Sequence, residues 1–423
     1  MLQQLKHTLF PASVIQLDNG LTLIHQEIAT TPVVVADVWV RAGTAVEPKS
    51  WYGMAHFLEH MIFKGTAKLP PGMFDHHIET RGGVSNAATS YDYAHYTLTT
   101  AASYLEDTLP HLGELLINAA IPDDEFSRER DVVLEEIRSC NDNPDWIGFQ
   151  ALNQSIYQNH PYGRSVLGSE LELMQHSPAA MRCFHRAHYQ PENMTVVVVG
   201  GISQQSAWEL VNKSFAEFAP PLDCPQAEEI VEPVITGIHR QEICSPRLEQ
   251  ARLIMAWVVP GVKELHAVYG LDLLAVLLSE GRTSRLVHHL REELQLVQEI
   301  YCNFSLQRES SLFTITAFLK VENLYQVENL ILRHLNDLQT MGISERELAR
   351  IRRLVCNEYA FSTETPNQLT GLYGYYNTIA QAELAVAYPQ HIQSFNTQEL
   401  QKLAKQLLSP DNYAVTILKP IAD

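Results

Sequence analysis

Apolar and polar residues alternate along the chain with the two periods that distinguish strands from helices. Segments 21–25 and 33–41 are rich in β-branched residues and flank turn residues, so they predict two paired strands. The pattern then predicts a strand at 87–98, helices at 104–119, 124–139 and 147–158, and a closing strand at 195–199. This order predicts an α+β fold, in which helices pack on one face of a mainly antiparallel sheet.

Several landmarks occur twice, about half the chain apart. Trp39 and Gly43 return as Trp257 and Gly261, both displaced by 218 residues. The Tyr-Gly pair at 52–53 returns at 269–270, and Pro-Glu-Asn at 191–193 returns as Pro-Asp-Asn at 410–412. Landmarks at nearly one displacement indicate an internal repeat. We therefore predict two homologous α/β sandwich domains, 1–219 and 238–423, joined by the acidic, proline-containing linker 220–237.

Composition narrows the classes of protein to which the chain can belong. The net charge of −19 over 423 residues argues against nucleic acid and anionic membranes as partners, and is compatible with basic peptide substrates. No apolar run reaches the roughly 18 residues of a membrane helix, and the first residues lack the layout of a signal peptide. Because the six cysteines are scattered without a C-x-x-C pair, we expect reduced thiols and a cytoplasmic location.

A predicted helix between Gly53 and Gly65 carries polar residues on an otherwise apolar segment. His56 and His60 are four residues apart, so they stack on one helix face, and Glu59 points into the same space. Two imidazoles at this spacing suit Zn²⁺, and the carboxylate beside them can accept a proton from water. The alternative is a pair of core histidines hydrogen-bonded to a glutamate. The order H-x-x-E-H, an inverted zinc-peptidase motif, favours the metal.

A catalytic zinc usually takes three protein ligands, so a third must come from elsewhere. Glu129 and Glu136 lie seven residues apart in an acidic segment, and two helical turns place them on one face. Val133 and Ile137 lie close to that face, so the carboxylates would need a counter-charge. Taken alone, the segment is more typical of a solvated acidic helix face.

Together the two segments resemble the pitrilysin-like (inverzincin) zinc metallopeptidases. H-F-L-E-H is followed by E-R-D-V-V-L-E-E, whose last residue lies 76 residues after His60. The closer similarity is to the branch related to the mitochondrial processing peptidase β-subunit. The resemblance implies that His56, His60 and Glu136 bind one zinc ion. It also implies that Glu59 is the general base and that Glu129 orients a ligand.

A glycine-containing segment after the metal helix is the candidate for substrate binding. Its residues are Gly83, Val84, Ser85, Asn86 and Ala87. An edge strand with small side chains can take an extended peptide by strand addition, whereas a simple Gly-Gly turn into a strand explains the glycines equally well. The resemblance favours strand addition, because the family's substrate-holding strand corresponds to the Asn86 and Ala87 positions.

The second half keeps the predicted helix but not its metal ligands. At the displacement of the repeat, His56, Glu59 and His60 fall in the largely apolar segment 271–278, so one zinc ion per chain is expected. In the family, an arginine and a tyrosine seven residues later orient the scissile carbonyl and stabilise its oxyanion. Arg291 matches the arginine, and Gln298 takes the place of the tyrosine.

The nearby Tyr301 is not expected to replace that tyrosine. It follows Gln298 by three residues, and alternation along a strand predicts that it faces the opposite side of the sheet. We therefore expect the chain not to complete its own active site.

These observations predict a zinc endopeptidase subunit that hydrolyses unfolded or short peptides in a closed chamber of two chains. The second chain is expected to be a homologous non-zinc subunit that supplies an Arg/Tyr pair, with a homodimer as the alternative. Neither nucleic acid nor a membrane is expected as a partner. The rival hypotheses are a non-catalytic core or scaffold subunit of a larger complex and a cytosolic metal-dependent hydrolase of small molecules. Metal content measured together with peptide turnover separates these hypotheses.

Overall fold

The computed structural model describes residues 10–228, 233 and 235–421. The elements before the predicted linker are β1 (Ser13–Gln16), β2 (Thr22–Glu27), β3 (Val33–Val40), α1 (Met54–Ile62), α2 (Met73–Glu79), β4 (Val84–Thr89), β5 (Ala94–Ala101), α3 (Leu105–Asn118), α4 (Asp123–Asn141), α5 (Pro144–Tyr157), α6 (Glu170–Gln175), α7 (Pro178–His188), β6 (Met194–Gly200) and α8 (Gln204–Ser214). The elements after it are β7 (Ile238–Ser245), β8 (Ala251–Pro260), α9 (Leu265–Ser279), β9 (Val297–Ser305), β10 (Ser310–Leu319), α10 (Leu324–Thr340), α11 (Glu345–Phe361), α12 (Pro366–Ile379), α13 (Leu384–Ser394), α14 (Thr397–Leu407) and β11 (Tyr413–Pro420).

The strands form two sheets, one from each half of the sequence. The first has the order β1-β2-β6-β3-β5-β4, and the second has the order β7-β11-β8-β10-β9. In the described residues, β2 and β6 are parallel, as are β7 and β11, and all other neighbouring strands are antiparallel. The predicted α+β fold with two mainly antiparallel sheets is therefore confirmed.

Two details of the predicted first sheet are wrong. The strands β2 and β3 are not paired with each other, because β6 lies between them and bonds to both. All seven residues of β6 are buried, as expected for a strand with neighbours on both edges. The single strand predicted at 87–98 is a hairpin of β4 and β5, since Ser90 donates its N–H to the Tyr93 carbonyl at 2.8 Å. Ser and Asp at 90 and 92 are typical turn residues.

The compact units do not coincide with the two halves of the sequence. Of the described residues, one unit comprises 10–138, 165–228 and 362–387, and the other comprises 139–164, 233, 235–361 and 388–421. The helix α5 packs on β8 and β11 of the second sheet, and α12 packs on β3 and β6 of the first. The domain boundaries at 219 and 238 follow the sequence repeat and remain a prediction, whereas the compact units exchange α5 and α12 between the two halves of the sequence.

Each exchanged helix approaches its sheet through a glycine. A Cβ on Gly148 of α5 would lie 2.7 Å from Leu418 Cδ1, and one on Gly374 of α12 would lie 2.0 Å from Trp39 Nε1. Both distances are shorter than side-chain contacts allow, so a larger residue would force the end of the Leu418 side chain to shift at the first position and would overlap the Trp39 ring at the second. The glycines therefore explain how helices from the opposite half of the sequence pack so closely.

The position of α1 is fixed at its N-terminus by a buried glutamate. Glu47 is 1% exposed, and its two carboxylate oxygens accept the backbone N–H groups of Gly53 and Ala55 at 3.0 and 2.8 Å. These N–H groups at the start of a helix have no partner within it, and the helix dipole favours a negative charge there. Glu47 therefore anchors the helix that carries the H-x-x-E-H motif.

The expectation of reduced thiols is wrong for two of the six cysteines. Cys183 of α7 is disulfide-bonded to Cys224, which lies 41 residues later in the predicted linker segment. The positions of the cysteines in the sequence do not indicate this pair, because the two residues come together only in the folded chain. The cytoplasmic location remains a prediction, and the disulfide argues against it. No helix in the part of the chain that is described has both the length and the apolar character needed to cross a membrane.

Thiol titration of the unfolded, unreduced protein tests the disulfide. We expect four reactive thiols per chain, from Cys140, Cys244, Cys302 and Cys356. Cys224→Ser should raise the number to five, because Cys183 loses its partner, whereas the control Cys244→Ser should lower it to three. Six thiols in the wild-type protein would show that the pair is reduced.

Candidate metal centre

Two helices of the first unit bring three ligand-type side chains together. His56 and His60 come from α1, and Glu136 comes from α4. Glu136 Oε2 lies 3.7 Å from His56 Nε2 and 3.5 Å from His60 Nε2, and one ligand atom from each residue lies within 4.8 Å of the others. Among the described residues, this is the one group of three or more His, Cys, Asp or Glu side chains close enough to share a metal ion.

The orientation of His60 is set by a chain of charged hydrogen bonds. His60 Nδ1 donates to Glu129 Oε1 at 3.0 Å, and Lys64 Nζ donates to Glu129 Oε2 at 2.6 Å. Both oxygens of the largely buried Glu129 are thus engaged. With its hydrogen on Nδ1, His60 presents Nε2 towards Glu136, as a metal ligand requires.

His56 lacks such support. Its ring is buried, and its Nδ1 has no hydrogen-bond partner among the described residues. The two rings are 4.8 Å apart between centroids and inclined by 63°. A buried polar nitrogen without a partner is costly, so the ring is not held here by its own hydrogen bonds. This leaves His56 Nε2, which faces Glu136, as the atom through which the residue can be stabilised.

Burial and neighbouring charges shift the pKa values of the two imidazoles in opposite directions. Burial, followed by the neighbouring His60, lowers the pKa of His56 to about 4. Burial also acts to lower the pKa of His60, but hydrogen bonds to Glu129 and Glu136 outweigh it and raise that pKa to about 9. The hydrogen bond from His60 lowers the pKa of Glu136. The cluster therefore holds a proton that a cation would have to displace.

Glu59 lies on the same helix and is held by the adjacent strand. Thr89 Oγ1, at the end of β4, donates a hydrogen bond to Glu59 Oε2 at 2.5 Å. Burial raises the pKa of Glu59, and this hydrogen bond opposes the shift. A carboxylate with a raised pKa beside a candidate metal centre is suited to accept a proton.

The predicted substrate segment lies on the free edge of the first sheet. Val84, Ser85, Asn86 and Ala87 belong to β4, which pairs with β5 on one side and ends the sheet on the other. Gly83 precedes the strand, where a Cβ would lie 2.9 Å from Ile78 Cγ2 and 3.1 Å from the Thr99 carbonyl oxygen. Both a tight entry into the strand and an exposed edge are therefore present.

Arg291 belongs to the other compact unit, where it lies in the π-helical segment Val287–Glu293. Its Nε and Nη2 donate to Glu292 Oε1 at 2.9 and 2.7 Å. The Arg291 side chain is about one-third exposed. Arg291 is thus paired with its own neighbour, and the metal-type cluster belongs to the first unit alone.

The predicted orientation of Tyr301 is wrong because β9 contains a bulge. Glu299 pairs with Phe318 and Val297 pairs with Leu319, so Gln298 is an extra residue in the strand. An extra residue reverses the alternation beyond it. Gln298 and Tyr301 are accordingly both exposed, whereas Val297 and Ile300 are both buried. Tyr301 therefore shares a face with the position where the family has its tyrosine.

Sequence reasoning missed Lys64 and Thr89. Lys64 follows His60 by four residues, the spacing of one helical turn, and this spacing could have suggested it as a partner for the same carboxylate. Thr89 follows Ala87 by two residues, so strand alternation places both on one face. Glu135 is rotated by about 100° from Glu136 on the helix. Its side chain is 75% exposed and pairs with Arg138 instead of the cluster.

The donor set fits zinc. Two imidazole nitrogens and one carboxylate oxygen are borderline ligands that suit a tetrahedral divalent ion, and they leave a fourth position for water. The carboxylate that holds His60 through Nδ1 supplies the outer support usual for such ligands. The unpartnered Nδ1 of His56 is the one departure from this arrangement.

Comparison with known proteins agrees with the site and the fold. Residues 22–170 match the family described as "Insulinase (Peptidase family M16)", and residues 176–355 match "Peptidase M16 inactive domain". The first range contains all three ligand-type residues and Glu59, and the second contains none of them. The chain is 28% identical to zinc protease PqqE of Helicobacter pylori over 96% of its own length and 92% of that protein.

Other relatives match over nearly the whole chain. The protein named uncharacterized zinc protease YmxG of Bacillus subtilis is 26% identical, with 95% of this chain and 97% of that one covered. The crystal structure of a protease from Helicobacter pylori superimposes with a TM-score of 0.88 at 26% identity, covering 97% and 99% of the two chains. The first half of the periplasmic protease PqqL from Escherichia coli shares the fold, with a TM-score of 0.81 at 20% identity over 97% of this chain and 92% of that one. The chain belongs to the pitrilysin-like M16 peptidase family.

Proposed function

We propose that the chain is a zinc-dependent endopeptidase subunit that hydrolyses unfolded or short peptides, with Glu59 as the general base. One observation carries this proposal: His56, His60 and Glu136 converge within 4.8 Å of one another, and Glu59, which is not one of the three, lies on the same helix as the two histidines. A purely structural cluster would not need a further, separately supported carboxylate. The names of the relatives, zinc proteases, support the same interpretation.

Each residue has a distinct role in the proposed reaction. His56, His60 and Glu136 would hold the zinc ion, which when bound supplies Lewis acidity that lowers the pKa of water and polarises a carbonyl. Glu59 accepts a proton from the attacking water and passes it to the leaving amine nitrogen. Glu129 and Lys64 keep the hydrogen of His60 on Nδ1, so that Nε2 stays directed at the centre.

The free edge of β4 gives the substrate a place to bind. An extended peptide that pairs with Val84–Ala87 would run beside α1, to which β4 is linked through Thr89. Main-chain pairing depends little on side chains, so it suits unfolded peptides of varied sequence. Segments whose main-chain groups are already paired inside a folded protein are unavailable for pairing with this edge.

We also propose that a second chain contributes to the active site, in a closed chamber of two chains. Arg291 and a tyrosine would supply hydrogen-bond donors to the developing oxyanion. Because the bulge at Gln298 puts Tyr301 on the same exposed face, a second copy of this chain becomes a candidate beside the homologous non-zinc subunit. The proposed partner is therefore one that offers an arginine and a tyrosine together.

Glu59→Gln should abolish peptide cleavage and leave zinc binding nearly intact. The amide keeps the shape of the side chain but cannot accept a proton, and general-base catalysis contributes about 10²- to 10⁴-fold. Cleavage of an unfolded protein and zinc content by atomic emission measure the two effects. His60→Ala is the matched control, which should lose the metal as well as the activity. Full activity in Glu59→Gln would overturn the proposed role, and a wild-type chain that binds zinc but cleaves nothing with any partner would favour a scaffold subunit.

Glu129→Gln should weaken zinc affinity or activity by roughly 10- to 100-fold, the range typical of groups that orient a metal ligand. The amide would leave His60 and Lys64 without a charged acceptor. Glu135→Gln is the control on the same helix, and its exposed side chain predicts little change. Competition with a chromogenic chelator measures the affinity. Equal and severe losses in both variants would show that the assigned helix face is wrong.

Tyr301→Phe tests whether a second copy supplies the oxyanion donor. In the purified chain, free of other subunits, loss of one such donor should lower kcat by about 10²- to 10³-fold. Arg291→Ala should show a similar loss, whereas Tyr325→Phe, an exposed tyrosine on α10, serves as the control. If the lone chain is nearly inactive and gains activity only with a homologous subunit, the heterodimer is the better account.

A further inference from the structure

Glu59 is tied to the edge strand by a single side-chain contact. Thr89 Oγ1 donates to Glu59 Oε2 at 2.5 Å, and among the described residues no other hydrogen bond reaches the Glu59 carboxylate. Glu59 belongs to α1, and Thr89 is the last residue of β4. The contact therefore joins the helix that carries the candidate metal ligands to the strand that borders the open edge of the sheet.

A glutamate needs such a contact to act as a base in one defined geometry. Its side chain has three rotatable bonds, and fixing a long side chain costs conformational entropy that must be offset. A general base must also hold one oxygen within hydrogen-bond reach of the proton that it accepts. A hydroxyl bound to Oε2 fixes the carboxylate and leaves Oε1 as the oxygen that can take a proton. The hydroxyl has one hydrogen, so while it donates to Glu59 it cannot donate to another acceptor.

We propose that Thr89 is a positioning residue for Glu59, and that it couples the ordering of the edge strand to the general base. This inference deepens the proposed peptidase function and rests on it. A peptide that pairs with Val84–Ala87 would immobilise the strand that bears Thr89, and thereby the carboxylate. Thr89 acts through Glu59 and makes no contact with the substrate itself.

Neighbouring side chains support this specific role. Along β4, Ser85, Ala87 and Thr89 are half-buried, whereas Val84, Asn86 and Ala88 are exposed, so Thr89 faces inward towards α1. If strand propensity alone mattered at position 89, valine would serve as well as threonine. The hydroxyl is what distinguishes the two residues, and its partner is the proposed base.

Thr89→Val and Thr89→Ser separate the hydroxyl from the rest of the side chain. Valine keeps the shape and the strand propensity but removes the donor, and serine keeps the donor. Thr99→Val on the paired strand β5 is the matched control, because it makes the same change at a strand threonine of the same sheet. Thr89→Ala removes the donor without adding a methyl group, and so repeats the test if the valine variant folds poorly.

The expected result is a loss in kcat without a loss of substrate or metal binding. Thr89→Val and Thr89→Ala should lower kcat by about 10- to 100-fold, a part of the 10²- to 10⁴-fold that a general base contributes. KM and zinc content should stay within about twofold of the wild-type values, since the hydroxyl touches neither substrate nor metal. Thr89→Ser should recover kcat to within about threefold, and Thr99→Val should match the wild-type protein.

A second measurement does not depend on turnover. The affinity for a fluorescent unfolded peptide is compared between the single variant Glu59→Gln and the double variant that also carries Thr89→Val. The two affinities should be equal, because Thr89 acts through Glu59 alone. A weaker affinity in the double variant would overturn the inference by showing direct contact with the peptide.

The kinetic measurements can also contradict the inference. Unchanged kcat in Thr89→Val, or equal losses in Thr89→Val and Thr89→Ser, would show that the hydroxyl does not position the base. Both outcomes require a wild-type chain that is active alone or with a homologous subunit, so absence of activity in both forms would count against the proposed function instead.

Discussion

The structure of the site depends on the need to pair polar side chains that α1 carries into a largely apolar interior. A buried imidazole or carboxylate without a partner is costly, and burial of one side of α1 is unavoidable because the same helix packs through residues such as Phe57 and Met61. Glu129 meets this need for His60, and Thr89 meets it for Glu59. His56 alone keeps an unpartnered nitrogen among the described residues, Nδ1, and an ion held through Nε2 would leave that nitrogen without a partner.

The internal repeat shows how the same framework exists with and without this chemistry. At the repeat displacement, the positions of His56 and His60 are taken by Leu273 and Leu277 of α9, both buried. At these two positions the second helix thus has no polar side chain that would need a partner, and among the described residues Leu273 and Leu277 have no ion pair. The candidate metal ligands of α1 and the packing residues of α9 therefore differ at a few equivalent positions of the repeated helix. The exchange of α5 and α12 between the two halves of the sequence, with a glycine at each contact with a sheet, adds a constraint that neither half could meet alone.

Local periodicity was enough to predict the fold class, the repeat and the face of α4 that carries Glu129 and Glu136. Predictions from local periodicity failed wherever contacts between residues distant in sequence determine the structure. The insertion of β6 between β2 and β3, the disulfide between Cys183 and Cys224, and the helix exchange all depend on such contacts. The face of Tyr301 was mispredicted for a local reason, since one extra residue at Gln298 reverses strand alternation without a glycine or proline to signal it. The spacing of Lys64 from His60 and of Thr89 from Ala87 was compatible with their observed positions, but the sequence did not indicate which side chains they would contact.

The central claim is that His56, His60 and Glu136 together hold one zinc ion. X-ray absorption at the zinc edge, on protein purified without chelators, tests this claim most directly because it reports both the presence of the ion and the type of its ligands. We predict about one zinc per chain, coordinated by two imidazole nitrogens and oxygen donors at the roughly 2.0–2.2 Å typical of such ligands, and by no sulfur. His60→Ala should remove this signal. A zinc-free protein, or a zinc ion coordinated by sulfur, would contradict the account.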